Sequence, residues 1–456
     1  MPSKFGTSGL RGLVTELTPN LIGSHVKAFI ASCPVGNGIW IGRDLRGSSP
    51  EISRMVANAA REMGVQVTDA GAVPTPALAL ASMKAGCAAV MVTGSHIPDD
   101  RNGIKFYTPE GEITKAHEAA ILANLDARAP YKGPEPITNT TAEAAYIARY
   151  TSAYGTALAG MRIGVYSHSA VGRDLMINLL AQLGAQITEL GRAAHFVPVD
   201  TEAVPEDVRA QLRDWAGNHP LDAIVSSDGD GDRPLVADAT GNIVPGDVLG
   251  QITGTALGAE IAVTPVSSNS GAEQVFDSVI RTKIGSPFVI AGMETVTGRV
   301  VGYEANGGFL LGYDASGPAG QLPALMTRDA VLPILASLMA AKSAGSLAAA
   351  VANQPPRFTA SDRLQGVATE EAQAFIADLS TQDGTRADFL KQFILTEVAV
   401  DRTDGLRMIC AGDRIVHLRP SGNAPELRFY AEADNAAAAD ALLKQGLKVL
   451  GAKMIG

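Results

Sequence analysis

The sequence predicts an α/β fold, with three related mixed-sheet α/β domains followed by a smaller C-terminal α+β domain. Three observations support this prediction. A strand, loop, helix and strand pattern recurs along the chain, a loop with polar side chains follows a strand in each predicted domain, and 456 residues suffice for several ordinary domains. With 46% hydrophobic and 18% charged residues, the composition is that of a folded α/β protein with many tight loops.

The repeated unit is clearest in two stretches, IWIGRDLRGSSPEISRMVANAAREMGVQVTDAG from Ile39 and MRIGVYSHSAVGRDLMINLLAQLGAQITELG from Met161. Each joins a short β-branched strand, a loop of small and polar residues, a helix with apolar residues at the helical period, a glycine and a second strand. A looser third copy begins with IAVTPVSSNSGAEQVFDSVI from Ile261 and continues through Gly285 into a strand at PFVIAG. The repetition predicts one βαβ unit used in three related domains.

The C-terminal part follows a different pattern from about Pro356. A helix (EEAQAFIADL), three strands (RMICAG, RIVHLRPS and ELRFYAEA) and a final Ala-rich amphipathic helix predict an α+β domain. Polar, turn-rich stretches separate the units, near 136–143, 238–247 and 353–363. The predicted domains are therefore 1–138, 139–244, 245–355 and 356–456.

Composition also excludes several classes of partner. The formal net charge of −10 argues against nucleic acid or an anionic membrane surface, because both bind clustered Lys and Arg side chains. No apolar run is long enough to span a bilayer, and the N-terminus lacks the apolar region of a signal peptide. The cysteines are widely spaced in apolar stretches, at Cys33, Cys87 and Cys410, which predicts buried thiols and a cytoplasmic protein.

In the first domain, the strand CAAVMV leads into the loop TGSHIPDDRNGIKFY, which carries Ser95 and His96. A serine on an exposed turn can act as a nucleophile, although a serine beside a histidine is more often ordinary turn chemistry. The turn at Asn102 and Gly103 would bring Lys105 back toward the serine. We therefore treat this loop as a candidate catalytic loop.

In the second domain, the strand LDAIVSS leads into DGDGDR, which places Asp228, Asp230, Asp232 and Arg233 close together. The intervening glycines allow the three carboxylates to turn inward as hard oxygen ligands for Mg2+ or Ca2+. The spacing excludes an EF-hand, whose loop needs glycine where Arg233 stands and glutamate where Ala239 stands. A solvated acidic turn is the alternative, but carboxylates packed after a buried strand are unfavourable without a cation.

In the third domain, VVGYEANGGFLLGYD predicts a strand, a loop and a return strand. Glu304 and Asn306 on this loop offer an acceptor and a donor–acceptor group, which would suit the vicinal hydroxyls of a sugar. A plain hairpin is the alternative interpretation, because this pattern is weak by itself.

In the fourth domain, RIVHLRPSGNAPELRFYAEA places two guanidinium groups and small polar residues around one turn. Such a turn, with exposed backbone N–H groups, can cradle an anion. The candidate phosphate-binding residues are Arg419, Ser421, Gly422, Asn423 and Arg428.

Together these loops resemble those of the α-D-phosphohexomutase family, which includes phosphomannomutase, phosphoglucomutase and phosphoglucosamine mutase. TGSHIPDDRNGIK resembles the family's phosphoserine loop, DGDGDR its metal loop, GYEANGG its sugar loop and RPSGNAPELRFY its phosphate loop. FGTSGLRG at the start and GRDLRGSS from Gly42 also match family segments. The resemblance covers essentially the whole chain in the same order, and the first two loops together are highly specific.

The resemblance implies domains around a central cleft and an enzyme that interconverts hexose 6-phosphate and hexose 1-phosphate. A hexose 1,6-bisphosphate would be the intermediate and the activator. Ser95 would carry the phosphoryl group and bind Mg2+ together with the three aspartates of DGDGDR. The resemblance places cations or proton-transfer groups near the reacting phosphate at Arg11, Lys105, Arg233 and Lys283. Glu304 would bind sugar hydroxyls, and the phosphate that is not reacting would lie on the cradle at Arg419, Ser421 and Asn423.

We expect Lys105 or His96 to relay the proton of the reacting hydroxyl. Lys105 is favoured, because Arg11 and Arg233 would surround it with positive charge.

Two departures from the family's pattern bear on substrate choice. Asn306 stands where serine is commoner, with no histidine following at the end of that loop, and Asn423-Ala424 replaces the commoner threonine-glutamate. We expect mannose 1- and 6-phosphates as substrates, with glucose phosphates also accepted, because a loop that grips other hydroxyls discriminates weakly at O2. Glucosamine phosphate ranks third, since only Glu304 could receive its amine.

Three alternatives stay open: a phosphoglucosamine mutase, a metal-dependent phosphatase that uses Ser95, and a sugar-phosphate-binding protein without turnover. A phosphatase would release free phosphate, and a binding protein would carry no phosphate on Ser95. A nicotinamide enzyme is disfavoured, because Gly36, Gly38 and Gly42 precede or flank a strand rather than follow one. The expected oligomeric state is a monomer or a homodimer.

Overall fold

The computed structural model describes residues 4–6, 9–128, 131–421 and 425–454. The chain forms two compact units. The first unit consists of Met1–Ala262 and Gly285–Asn353, and the second of Val263–Ile284 and Gln354–Gly456.

The described elements are named here in chain order. The helices are α1 Pro19–Ser32, α2 Ser49–Glu62, α3 Thr75–Lys84, α4 Lys115–Leu122, α5 Ala142–Tyr154, α6 Arg173–Gln182, α7 Glu206–Asn218, α8 Gly246–Leu257, α9 Ala272–Val275, α10 Ser286–Met293, α11 Val331–Ala344, α12 Leu347–Ala352, α13 Thr369–Thr381, α14 Asp383–Lys391 and α15 Ala436–Met454, with a 3-10 helix at Val14–Glu16. The strands are β1 Lys4–Phe5, β2 Gly9–Leu13, β3 Ile39–Arg43, β4 Val67–Ala72, β5 Ala88–Val92, β6 Arg101–Thr108, β7 Gly111–Glu112, β8 Ile137–Thr138, β9 Arg162–Tyr166, β10 Gln186–Leu190, β11 Ala223–Ser227, β12 Pro234–Asp238, β13 Ile261–Pro265, β14 Ser278–Thr282, β15 Val300–Tyr303, β16 Phe309–Leu311, β17 Ala315–Ser316, β18 Gln321–Leu322, β19 Leu325–Asp329, β20 Phe358–Gln365, β21 Glu397–Asp401, β22 Leu406–Cys410, β23 Arg414–Pro420 and β24 Glu426–Ala433.

The first sheet of unit 1 is mixed, with strand order β1-β2-β6-β5-β3-β4-β8 and β7 paired to β6. Strand β3 runs parallel to β4 and β5, whereas β6 is antiparallel to β5 and β2. The central strand β5 reads AAVMV and is buried along its whole length, as expected of a strand covered on both faces. Helix α1 packs Ile22, Val26 and Phe29 into the core of this sheet, at the spacing of one helix face.

The second sheet of unit 1 has the order β10-β9-β11-β12. Strands β10 and β11 are parallel to β9, and β12 turns back antiparallel to β11. Both βαβ repeats predicted from Ile39 and Met161 are therefore confirmed as strand, helix and parallel strand. The loop DGDGDR is the connection between β11 and β12, so its carboxylates follow the C-terminal end of a buried strand.

Unit 1 also contains the antiparallel strands β15, β16 and β19, which are adjacent in that order. The predicted strand at PFVIAG is wrong, because this segment lies in helix α10. Pro287 occupies the first turn of that helix, where the missing N–H costs no hydrogen bond. The preceding segment was predicted as a helix, but only α9 is helical and the β-branched residues after it form β14.

Unit 2 contains a sheet with the order β20-β24-β23-β22-β21, in which neighbouring strands are antiparallel. Its core includes Leu418, Phe429 and Leu450. The α+β pattern predicted for the C-terminal part is confirmed in α13, β22, β23, β24 and α15. Strand β20 was not predicted; it begins within the predicted boundary near 353–363 and pairs with β24 along its full length.

Two further expectations concern single residues and helices. Cys33, Cys87 and Cys410 are buried free thiols, as predicted. Among the described helices, none combines the length and apolar composition that crossing a membrane requires.

Candidate active site

Ser95 lies in the loop after β5 and has a left-handed backbone conformation, with φ of 54°. This conformation is unfavourable for a residue with a side chain and needs support from its surroundings. The Ser95 N–H donates to the hydroxyl of Thr93 at 2.7 Å, and that hydroxyl donates to Asp44 at 2.8 Å. The serine is therefore held in a fixed backbone geometry and is buried.

Arg46 holds the rest of the serine loop. Its buried guanidinium donates to four backbone carbonyls of that loop and lies 3.8 Å from the centroid of the Phe196 ring. The accepting carbonyls belong to Ser95, Ile97, Pro98 and Arg101, at 2.9, 2.6, 2.8 and 3.1 Å. Arg46 also pairs with Asp44 at 3.1 Å. Both residues lie in the segment GRDLRGSS, which resembles the family without indicating a role for either.

The metal loop packs directly against the serine loop. A Cβ atom added to Gly229 would lie 2.7 Å from the backbone oxygen of Ser95, so only glycine permits this approach. One oxygen of Asp228 accepts the backbone N–H groups of Gly231, Asp232 and Arg233 at 3.2 to 3.3 Å. Its other oxygen accepts a hydrogen bond from Ser95 Oγ at 2.6 Å. The predicted nucleophile and the predicted metal loop are therefore in contact.

The three aspartates of DGDGDR are fully buried, and one ligand oxygen from each lies within 4.8 Å of the others. Burial first, and then the charges of Asp230 and Asp232, raise the pKa of Asp228 well above its ordinary value. Three buried carboxylates at this separation are a group that could hold a cation.

Lys105 lies between two of these carboxylates. Its Nζ donates to Asp230 Oδ2 at 2.6 Å and to Asp232 Oδ2 at 2.7 Å. Thr75 adds a hydrogen bond of 2.6 Å to Asp230 Oδ2. Although burial raises the pKa of Asp230, the charge of Lys105 and these hydrogen bonds lower it below its ordinary value.

The remaining oxygens fit a metal ion. Asp230 Oδ1 and Asp232 Oδ1 are buried and have no hydrogen-bond partner among the described residues. Arg233 Nε lies 3.9 Å from Asp232 Oδ1, beyond hydrogen-bond distance. In each carboxylate Oδ2 is therefore bound by neighbouring side chains, and Oδ1 is available to a ligand. Carboxylate oxygens are the donors that Mg2+ prefers.

His96 also lies within reach of the serine hydroxyl. Its Nδ1 is 3.3 Å from Ser95 Oγ and 2.9 Å from Arg233 Nη1. Because arginine is only a donor, His96 Nδ1 accepts that hydrogen bond. Burial, followed by the charge of Arg233, lowers the pKa of His96 to about 3, so the ring is neutral at neutral pH. Burial and the same arginine lower the pKa of Arg11, on β2, to about 10.

The sugar loop lies between β15 and β16. Glu304 is buried, and its Oε2 has no hydrogen-bond partner in the part of the chain that the structure describes. Burial raises its pKa, opposed first by the charge of Arg328 and then by that of Arg233. Asn306 Oδ1 accepts the N–H of Gly308 at 3.0 Å, which fixes the amide within the loop.

Arg328, on β19, is a site residue that the sequence analysis missed. Its Nε lies 3.2 Å from Glu112 Oε1, and its Nη2 lies 3.1 Å from Asp232 Oδ2. Burial raises the pKa of Asp232, and among the neighbouring charges that of Arg328 opposes this effect most strongly and lowers the pKa. The signal in the sequence is the charged pair Arg328-Asp329 between the apolar segments LM and VLPIL, where burial would force each charge to find a partner.

The phosphate loop belongs to unit 2. Arg419 and Arg428 face each other in the β23–β24 ladder, and each pairs with a carboxylate: Asp404 at 2.8 Å and Glu426 at 3.0 Å. Ser421 is buried, and its N–H donates to the backbone of Glu426 at 3.0 Å. Gly422 and Asn423, also predicted for this cradle, lie outside the described residues. Lys283, also in unit 2, is exposed between β14 and α10.

Comparisons with known proteins agree with these loops. Models of the phosphoglucomutase/phosphomannomutase family match the chain for alpha/beta/alpha domain I at residues 2–132, alpha/beta/alpha domain III at 245–358 and the C-terminal domain at 356–448. A phosphomannomutase from Sinorhizobium fredii is 43% identical over all of both chains. A phosphomannomutase from Salmonella muenchen is 44% identical over 94% of this chain and 92% of its own.

This chain belongs to the α-D-phosphohexomutase family. A phosphoglucosamine mutase from Symbiobacterium thermophilum is a more distant member, 30% identical over 68% of this chain and 75% of its own. The crystal structure of a phosphoglucomutase/phosphomannomutase family protein from Burkholderia thailandensis has the same fold, with a TM-score of 0.78, 21% identity and coverage of 98% and 97% of the two chains. The predictions of a phosphohexomutase and of several mixed-sheet α/β domains with a C-terminal domain are confirmed.

Proposed function

We propose that this phosphohexomutase is a phosphomannomutase, which interconverts mannose 6-phosphate and mannose 1-phosphate and also accepts the glucose phosphates. The observation that carries the proposal is the hydrogen bond of 2.6 Å from Ser95 Oγ to Asp228, at the edge of a buried carboxylate cluster in which two oxygens have no hydrogen-bond partner among the described residues. A hydroxyl in this position can carry a phosphoryl group beside a cation. The two relatives at 43% and 44% identity bear the name phosphomannomutase, which supports the choice of sugar.

Asp228, Asp230 and Asp232 would hold Mg2+, together with the phosphorylated Ser95. When bound, the ion would neutralise charge on the phosphoryl oxygens during transfer. Asp230 and Asp232 have Oδ1 atoms available for it, because Lys105 and Thr75 bind the Oδ2 atoms. Asp228 would accept the ion once phosphorylation removes the serine proton that it now binds.

The free hydroxyl of mannose monophosphate attacks the phosphorus on Ser95. The new oxygen–phosphorus bond forms as the bond to Ser95 Oγ breaks, which leaves mannose 1,6-bisphosphate and a serine oxygen. The proton of that hydroxyl would be relayed through Lys105 or His96 to the serine oxygen that leaves, so that Ser95 ends the step as a hydroxyl. The bisphosphate then turns over and returns its other phosphoryl group to Ser95, so no phosphate is lost. Arg11 and Arg233 would stabilise the equatorial oxygens during both transfers.

Substrate recognition divides between the other loops. Glu304 and Asn306 would bind sugar hydroxyls, for which Glu304 Oε2 is an unpaired acceptor among the described residues. The cradle at Arg419 and Ser421, with Lys283 as a further cation, would bind the phosphate that is not reacting.

The test is a coupled assay of wild-type protein, primed with hexose 1,6-bisphosphate and Mg2+, on mannose, glucose and glucosamine phosphates. We expect the highest kcat/KM with the mannose phosphates, glucose phosphates within about a hundredfold, and no release of inorganic phosphate. Intact mass should show one phosphoryl group on the protein, absent from the inactive Ser95→Ala control. A preference of about tenfold or more for glucosamine 6-phosphate would contradict the sugar assignment. Release of free phosphate would identify a phosphatase instead.

A further inference from the structure

Arg328 lies against both the metal loop and the sugar loop of unit 1. Its stem passes over Gly308 at the end of the sugar loop: a Cβ atom added to Gly308 would lie 3.1 Å from Arg328 Cδ and 3.2 Å from Arg328 Cγ. Its Nη2 forms an ion pair with Asp232 Oδ2 of the metal loop at 3.1 Å, without the geometry of a hydrogen bond. One side chain therefore spans the distance between the two loops.

The backbone of Gly308 does not require glycine. The preceding glycine, Gly307, has φ of 86° and is restricted to glycine by its left-handed conformation. Gly308 is not among the residues with positive φ, so a side chain there is limited by the space that Arg328 takes and by Asn306 Oδ1, which would also lie 3.2 Å from the added Cβ atom. The stem of Arg328 fills space next to Gly308.

The guanidinium end of Arg328 is held as firmly as its stem. Arg328 is 3% exposed, and its second partner, Glu112, is also buried. Glu112 in turn accepts hydrogen bonds from the backbone of Arg328 at 3.2 Å and from Ser286 Oγ at 2.9 Å. A buried arginine between two carboxylates has little freedom to leave either, because an unpaired buried charge is costly.

We propose that Arg328 is a positioning residue that couples the sugar loop to the metal site. Together with Lys105 it holds Asp232 Oδ2, so that Asp232 Oδ1 stays available to the metal ion. Its stem sets the position of the loop that carries Glu304. The inference rests on the proposed function of these two loops. It predicts that a change at either end of Arg328 alters both metal affinity and sugar binding.

The first experiment measures Mg2+ binding by calorimetry, with no sugar present, alongside kcat and KM. Arg328→Met should weaken Mg2+ binding about tenfold or more, as expected when a group that orients a metal ligand is lost. It should also raise KM for mannose phosphate, and Arg328→Lys should recover part of both. The matched control is Arg299→Met, since Arg299 forms an exposed pair with Glu260 at the end of β15 opposite the sugar loop. Mg2+ affinity in Arg328→Met equal to that of the control would overturn the proposal.

The second experiment leaves the arginine in place and changes the glycine. Gly308→His should displace Arg328 and reduce both Mg2+ affinity and kcat/KM by about tenfold, whereas in an Arg328→Ala background the same change should cost about twofold or less. Equal losses in the two backgrounds would show that the residues are independent and would overturn the coupling.

These outcomes are separable from failure of the proposed function. If the wild type bound Mg2+ normally but lacked mutase activity, the function would be wrong while the Mg2+ measurements still tested Arg328. If the wild type were an active mutase and Arg328→Met matched Arg299→Met in Mg2+ affinity and KM, only the coupling would be wrong. Thermal unfolding of each variant shows whether it is folded, and an unfolded Arg328→Met would leave the test to Arg328→Lys and Gly308→His.

Discussion

The metal loop and the phosphate loop balance opposite charges in different surroundings. In the metal loop, three fully buried aspartates meet Lys105 and Arg328, each also almost fully buried. In the phosphate loop, Arg419 and Arg428 meet Asp404 and Glu426, with Arg419 21% and Arg428 38% exposed. One loop presents anions held by cations, and the other presents cations held by anions.

The two loops differ in the cost of removing one charged side chain. Removing one charge from a buried cluster leaves its partner uncompensated in a low-dielectric environment, which is strongly unfavourable. Partly exposed pairs contribute little, because water and salt can replace either partner. The metal loop is therefore expected to tolerate almost no change, whereas the phosphate loop can exchange a carboxylate for a phosphate at small cost.

The largest effect is expected at the metal loop. Asp230→Asn keeps the shape of the side chain but removes a charged metal ligand, so kcat should fall about a hundredfold or more. Removal of Mg2+ by a chelator should have the same effect on the wild type and little further effect on the variant. Kinetics with Asp126→Asn, a change at an exposed aspartate, is the control. Activity that survives exhaustive chelation would assign DGDGDR to structure rather than catalysis.

The sequence predicted the metal loop more completely than it predicted what holds that loop. The three aspartates of DGDGDR, separated by glycines, indicate a metal site by themselves, because carboxylates packed directly after a buried strand are unfavourable without a cation. Arg46 and Arg328 could not be placed in the same way, since the groups of the site that they hold lie far away in sequence. Arg46 binds carbonyls about fifty residues on, and Arg328 reaches Glu112 and Asp232 only after folding.

The errors in the fold have a similar origin. PFVIAG is a short apolar run that fits a buried strand or a buried helix equally well, and periodicity cannot separate the two at this length. In the structure this segment is helical, and Val289 and Ile290 of α10 are buried. β20 was missed because FTASDRLQ is polar and largely exposed, as an edge strand can be when only one neighbour pairs with it.

An intermediate effect is expected at the phosphate loop. Arg419→Ala should raise KM for mannose 6-phosphate about tenfold and change kcat by about threefold or less, because a distal phosphate is bound alike in the ground and transition states. Steady-state kinetics measures both constants, and Arg402→Ala, at an exposed arginine of the same unit, is the control. A large fall in kcat with unchanged KM would place Arg419 at the reacting phosphate instead.

The smallest effect, and the one that most sharpens the comparison, is expected from Asp404→Asn. Asp404 Oδ2 accepts hydrogen bonds from Arg419 Nε at 2.8 Å and from the Ile284 N–H at 3.0 Å, and an asparagine oxygen can accept both. The variant therefore keeps the geometry of Arg419 but removes the negative charge that competes with a phosphate. Because partly exposed ion pairs contribute up to about 1 kcal/mol, KM should fall by about fivefold at most, and kcat should not change. The gain should shrink as salt is raised, since screening weakens the repulsion that was removed. Asp388→Asn, at an exposed Asp388–Lys391 pair in the same unit, should leave KM unaltered. A rise in KM for Asp404→Asn would mean that the carboxylate orients Arg419 rather than competing with the ligand, and the phosphate loop would then resemble the metal loop in depending on each of its charges.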